Sequence, residues 1–77
     1  MVDRYSKTPL FAQVAERLRE RIQAGEWAPG AAMPSERQVA EEYDVARPTA
    51  RRALAVLEEE GLLLVLPQRG VVRSPKS

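Results

Sequence analysis

The sequence predicts a mostly α-helical domain with a small β-hairpin at its C-terminal end. Apolar residues recur at the helical period of about 3.6 residues in three successive segments between residues 9 and 60, and only a tight turn separates the second segment from the third. After Gly61 the pattern changes to two short apolar runs around a glycine-bearing turn. The order of three helices and a hairpin predicts a winged helix-turn-helix, in which the hairpin is the wing.

The first helix is predicted in the segment LFAQVAERLRERIQAG. Thr8 fits the N-cap, Pro9 the first helical position and Gly25 the C-terminal stop. The segment EWAPGAAM that follows is predicted to be a connector, because Pro29 and Gly30 interrupt it. The apolar stripe of the helix comprises Leu10, Phe11, Val14, Ala15, Leu18 and Ile22.

The second and third helices form the predicted helix-turn-helix. Ser35 and Gln38 have the spacing of a capping box, which begins a helix of about two turns. The turn at residues 43–46 then leads into RPTARRALAVLEEEG, where Pro48 sits in the first turn and Gly61 ends the helix. The buried stripe of this third helix is predicted to be Ala50, Ala53, Leu54 and Leu57.

The hairpin is predicted from LLLVLP and VVRS on either side of Gln68-Arg69-Gly70. Gly70 can supply a positive φ angle at little steric cost. We expect one domain over residues 1–77 with an ordered core at about 8–73, so that residues 1–7 and 74–77 are loose ends.

Composition excludes several kinds of chemistry. The 77 residues include no histidine and no cysteine, which excludes cysteine nucleophiles, disulfides and histidine bases and leaves only carboxylates for a metal site. Ser35 is assigned to capping because no histidine can activate it. We therefore expect no enzyme, no catalytic residue, no cofactor and no metal. Nothing resembles a signal peptide or a membrane span, and we expect a cytoplasmic protein with no membrane partner.

The charge distribution points to a polyanion. The 12 Lys and Arg nearly balance the 11 Asp and Glu, but residues 47–57 carry +3, residues 58–60 carry −3 and residues 61–77 carry +3. Basic residues at the start of the third helix and acidic ones at its end oppose the helix dipole, which favours the reverse order. A phosphate backbone docked at the start of that helix would explain the arrangement. The alternative is a solvated face whose charges pair with neighbouring helices.

Each candidate DNA-binding residue, taken singly, also has an explanation that does not involve DNA. Arg37 could contact DNA or only pair with Glu41 one turn later. Thr49 could bond a phosphate or its own backbone. Arg69, at the hairpin tip, could enter a minor groove or only aid solubility.

Three motifs at their mutual spacing resemble the N-terminal winged helix-turn-helix of the GntR family of bacterial transcriptional regulators. They are PLFAQVAERLRERIQAGEWAPG, MPSERQVAEEYDVARPTARRALAVLEEEGLL and RGVV, which together cover residues 9 to 72 almost entirely. The resemblance implies a sequence-specific binder of double-stranded DNA, a repressor, with the third helix in the major groove and the wing in the minor groove. Its implied DNA-binding residues, taken with those of the charge argument, are Arg37, Arg47, Pro48, Thr49, Arg51, Arg52, Arg69 and Gly70.

The resemblance also implies partners and shows departures. An inverted-repeat operator bound by a homodimer is expected, and no effector ligand is expected at this domain, because the family's effector-binding and dimerisation domain is not present in these residues. Ala46 stands where the family usually has a serine or threonine cap, and Gln68 where the wing usually has glycine. The alternative function is a winged-helix protein–protein interaction module, using the acidic end of the third helix and the apolar hairpin.

Overall fold

The computed structural model describes residues 2–75 and contains the predicted three helices and hairpin. A two-stranded antiparallel sheet follows the helices, as the sequence predicts for a winged helix-turn-helix. The elements are α1 (Leu10–Gln23), α2 (Glu36–Tyr43), α3 (Arg47–Glu59), β1 (Leu63–Leu66) and β2 (Gly70–Arg73).

One apolar core joins these elements. Both α1 and α2 pack against α3, and β1 packs against α3 as well. Ala50 and Ala53 have no exposed surface, because their small side chains lie where α3 meets its neighbours. The largest fully buried side chains come from α1, α2, α3 and β1 and are Val14, Leu18, Ile22, Val39, Leu57 and Leu63.

The ends of α1 correct one prediction and confirm another. The helix begins at Leu10, not at Pro9, and Pro9 itself is the N-cap with extended backbone (φ −56°, ψ 148°). Thr8 is therefore not the cap; its carbonyl oxygen accepts a bond from Gln13 Nε2 at 2.8 Å. Gly25 ends the helix as predicted, with φ +84°. Its N–H donates to the Ile22 oxygen at 3.0 Å, as the left-handed residue of a Schellman motif does.

The capping box that begins α2 is confirmed. The Gln38 N–H donates to Ser35 Oγ at 3.2 Å, and the Ser35 N–H donates to Gln38 Oε1 at 2.8 Å. At the other end, Asp44 takes the left-handed conformation (φ 53°, ψ 52°) and turns the chain towards α3. Aspartate tolerates this conformation better than most residues, which permits the tight turn between the two helices.

The start of α3 has no side-chain cap. Ala46 has the extended backbone of an N-cap residue (φ −67°, ψ 151°), but its methyl group accepts no hydrogen bond. We expect Ala46→Ser to stabilise the domain by about 1 kcal/mol, because a serine hydroxyl at the N-cap can accept from the Thr49 N–H, which now bonds only the backbone oxygen of residue 46. Urea or thermal unfolding measures the gain, and Tm should rise by about 4–8 °C.

The control is Ala55→Ser, at an exposed position inside α3. Serine has a lower helix propensity than alanine, so this variant should lose a few tenths of a kcal/mol. Equal effects of the two substitutions would contradict a capping role at residue 46.

The connector contributes to the sheet, which the sequence analysis missed. In the hairpin, Leu63 lies opposite Arg73 and Leu66 opposite Gly70, leaving residues 67–69 as the loop. On the other side of β2, Ala32 forms a bridge with Val72. The bonds there are Gly30 N–H to the Arg73 oxygen, Met33 N–H to the Val71 oxygen and Arg73 N–H to the Ala31 oxygen, each at 2.8 Å. The connector thus covers one edge of the wing.

The predicted loose ends are also partly wrong. Val2 is only 8% exposed and belongs to the core. The Asp3 N–H donates to Gln13 Oε1 at 2.6 Å, and Arg4 pairs with Asp44 at 3.6 Å beside the helix-turn-helix turn. At the other terminus Ser74 is buried. The prediction for residues 1, 76 and 77 lies outside the described residues.

Candidate nucleic-acid interface

Two arginines stand on one face at the start of α3. Arg47 and Arg51 are one helical turn apart, and their side chains are 63% and 67% exposed. The N-terminal end of α3 also carries the positive end of the helix dipole. This part of the surface therefore offers cationic groups and a helix N-terminus to the same ligand.

Glu36 of α2 holds both arginines. Its Oε1 lies 3.3 Å from Arg47 Nε, and its Oε2 lies 2.9 Å from Arg51 Nε. The hydrogen bond from Arg51, together with the charges of Arg51 and Arg47, lowers the pKa of the Glu36 carboxyl below its ordinary value of 4.5. Glu36 is therefore ionised at neutral pH. These pairs match the alternative that the charge pattern left open, in which α3 charges pair with a neighbouring helix.

The sequence pattern did not indicate Glu36 as a site residue, because its contacts depend on how α2 crosses α3. Nothing in the local pattern ERQVAEEY distinguishes it from other acids of a helix first turn. The three guanidinium nitrogens that contact Glu36 are Arg47 Nε, Arg51 Nε and Arg51 Nη2.

Two further candidates are Arg37, in α2, and Thr49, which lies between the two arginines in the sequence of α3. The Arg37 side chain is 74% exposed and its Nε lies 3.5 Å from Glu41 Oε2, which is the local ion pair that the spacing predicts. Such an exposed pair contributes little stability, so it can exchange for a phosphate. Arg37 and Arg47 line the same surface depression. Thr49 is half-buried and its N–H donates to the Ala46 oxygen at 3.0 Å.

The wing places Gly70 next to α3 and Arg69 at its tip. Gly70 has φ +76°, as its place after the turn predicts, and it lines a groove between α3 and the hairpin together with Arg51. Arg69 lies in the three-residue loop and is exposed. Pro48, in the first turn of α3, is exposed as well. A continuous surface therefore runs from Arg37 through the start of α3 to the wing.

Arg52 does not share the contacts of the other arginines. Its guanidinium carbon lies 3.9 Å from the centroid of the Phe11 ring of α1. Phe11 is half-buried, so this cation–π contact covers the outer part of the α1–α3 packing. The structure thus gives Arg52 a packing role that the charge pattern did not reveal.

The acidic end of α3 is engaged within the domain. Glu60 pairs with Arg19 of α1 at 2.6 Å, and the Val65 N–H of β1 donates to Glu58 Oε2 at 3.1 Å. The hydrogen bond from Arg19 lowers the pKa of the Glu60 carboxyl. These contacts leave less of the acidic end for a protein partner, which disfavours the alternative of a protein–protein interaction module.

Two further findings concern the described part of the chain. None of its helices is long and apolar enough to cross a membrane. Over the same residues, no group of three or more histidine, cysteine, aspartate or glutamate side chains is placed to hold a metal ion.

The fold and this surface define a winged helix-turn-helix domain of the DNA-binding class. The chain matches the family described as "Bacterial regulatory proteins, gntR family" over residues 10–72. The chain belongs to the GntR family of bacterial regulatory proteins, as its motifs suggest.

Relatives and solved structures agree with this assignment. The chain is 41% identical over 76 residues to the HTH-type transcriptional repressor NagR of Bacillus subtilis (strain 168), a match that covers 97% of this chain and 31% of that protein. YtrA from Sulfolobus acidocaldarius, a GntR-family transcription factor, has a TM-score of 0.84 at 34% identity and matches over 96% of this chain and 78% of its own. AraR(DBD) in complex with operator ORR3 has a TM-score of 0.84 at 27% identity. That match covers 96% of this chain and 89% of the AraR chain.

The match to the curated relatives is partial. The chain spans about a third of the length of NagR and of a second Bacillus subtilis relative. The similarity therefore concerns the winged helix-turn-helix domain and does not extend to the activity of a whole regulator.

Proposed function

We propose that this domain binds double-stranded DNA sequence-specifically for a bacterial transcriptional repressor acting in the cytoplasm. The observation that carries the proposal is the high exposure of two arginines, Arg47 and Arg51, on one face at the start of α3. In this arrangement α3 enters the major groove, α2 crosses the backbone and the wing reaches the adjacent minor groove. The name of NagR, a repressor, and the operator complex of AraR support the proposal.

The individual residues take different roles. Arg47 reads a guanine edge with its terminal nitrogens, and Arg51 reads or positions a neighbouring base. Arg37 and Thr49 bind phosphate, and Arg69 enters the minor groove. Gly70 and Pro48 shape the backbone that approaches the DNA, at the wing and in the first turn of α3 respectively. Arg52 contributes through its contact with Phe11 and, in part, through its positive charge.

The binding site on DNA is proposed to be symmetric. One domain of this size makes few contacts, so useful affinity comes from two copies on an inverted repeat, as a homodimer on DNA. We propose no effector role for this domain.

Selection of bound duplexes from a random DNA pool tests the proposal. We expect an enriched motif whose two halves are related by a dyad, and no enrichment with the double variant Arg47→Ala, Arg51→Ala. In fluorescence anisotropy, about four phosphate contacts per domain predict a slope near −3.6 for log affinity against log salt, or roughly a hundredfold loss between 50 and 200 mM. No binding at 50 mM salt and no enriched motif would contradict DNA binding and favour a protein partner.

A further inference from the structure

One hydrogen bond connects α3, the proposed recognition helix, directly to the wing. The Val65 N–H of β1 donates to Glu58 Oε2, in the last turn of α3, at 3.1 Å. The two residues line opposite sides of the groove that separates α3 from the hairpin. Glu58 is exposed, and within residues 2–75 no arginine or lysine forms a salt bridge with it. Its carboxylate therefore accepts a hydrogen bond from the wing rather than from a basic side chain.

The geometry of the sheet explains why this amide bonds a group outside the hairpin. Met33 N–H bonds the Val71 oxygen, so Val71 directs its backbone groups to the connector and away from β1. Val65 lies opposite Val71 in the antiparallel register and likewise directs its backbone groups away from β2. The Val65 N–H is thus an edge amide, for which the hairpin offers no acceptor.

We propose that Glu58 is a positioning residue for DNA binding, which fixes the wing relative to the recognition helix through the Val65 amide. The inference rests on the proposed function, because it assumes that α3 and the wing contact one DNA duplex. Glu58 itself need not touch the DNA. Its bond sets the angle at which the hairpin leaves the end of α3, and that angle decides whether Arg69 reaches the minor groove while Arg47 lies in the major groove.

The sign of the effect separates this role from simple electrostatics. Removing a negative charge from a DNA-binding domain should tighten binding, because less repulsion opposes the phosphates. Glu59→Ala, the adjacent exposed acid, should therefore bind DNA as well as the unmodified domain or about twofold better. Glu58→Ala should bind about fivefold more weakly, because the hydrogen bond is lost. Glu58→Gln should recover the affinity, since the amide oxygen can still accept from Val65.

The experiment measures these variants by anisotropy on one duplex recovered from the random pool. Amide hydrogen exchange at Val65 gives an independent readout: protection should fall in Glu58→Ala and persist in Glu58→Gln and Glu59→Ala. In the Arg69→Ala background, Glu58→Ala should have no further effect, because the contact that it positions is already gone. Urea unfolding checks that every variant is folded.

The outcomes are distinguishable from failure of the proposed function. If the unmodified domain binds the duplex but Glu58→Ala binds equally well, the positioning role is wrong and DNA binding stands. Unchanged Val65 exchange in Glu58→Ala, or equal losses in Glu58→Ala and Glu58→Gln, would also overturn it. If the unmodified domain binds no DNA, the proposed function fails, and the positioning role fails with it.

Discussion

Replacing Arg47 with alanine should weaken binding to the selected duplex by roughly 5- to 150-fold, which corresponds to about 1–3 kcal/mol for a bidentate contact with guanine. The loss should be smaller on a scrambled duplex, because only the phosphate part of the interaction remains there. Glu36 holds Arg47 in place before DNA binds, so alanine removes a group that is already positioned. Anisotropy titrations on both duplexes at fixed salt measure the two losses.

Two further variants separate the contribution of the Arg47 guanidinium group to DNA binding from that of its charge. Arg47→Lys keeps the charge but lacks the planar fork, so it should retain affinity for the scrambled duplex and lose preference for the selected one. Arg17→Ala, on the exposed surface of α1, removes the same charge away from α3 and should change binding less than twofold. Equal losses on both duplexes with Arg47→Ala would make Arg47 a phosphate contact rather than a base contact.

Replacing Leu63 with alanine should destabilise the domain by about 2–5 kcal/mol, since it leaves a cavity in the core. Leu63 has no exposed surface and joins β1 to the helices. A domain of this size has a total stability of roughly 4–12 kcal/mol, so this one change removes a large part of it. Urea unfolding followed by circular dichroism measures the loss.

The neighbouring leucine is a matched control. Leu64 is 39% exposed on the other face of the same strand. Leu64→Ala should cost less than about 1 kcal/mol, because little apolar surface is removed from the core. If the two variants were equally stable, the register of β1 described here would be wrong, since a shift by one residue exchanges the two faces.

Local signals in the sequence predicted most of the fold. The Ser35 capping box, the glycine after α1 and the apolar stripes act within a few residues, so the pattern itself is sufficient. The β-bridge at Ala32 was not predictable in this way, because its partner Val72 is distant in the chain and Pro29, Gly30 and Pro34 lie within three residues of it. The packing of Val2 depends in the same way on tertiary contacts.

The candidate site was predicted less completely for the same reason. Charge blocks and the family motifs indicated Arg47 and Arg51, since both lie in one short basic segment. Glu36 and Glu58 act across element boundaries, and their acidic character points away from a polyanion when residues are considered one at a time. Arg52 shows the converse case, in which a basic residue of the same segment packs on an aromatic ring.

The bond between Glu58 and Val65 also bears on solubility. Residues 62–66, which include β1, are all apolar and carry no charge or proline, a composition that favours intermolecular strand pairing. The connector covers the outer edge of β2, and the Glu58 carboxylate places a negative charge at the outer edge of β1. An acidic side chain bonded to an edge amide occupies the position that a strand from another molecule would use. Both edges of the hairpin are therefore partly occupied by groups of the same domain, which disfavours strand pairing with a second molecule.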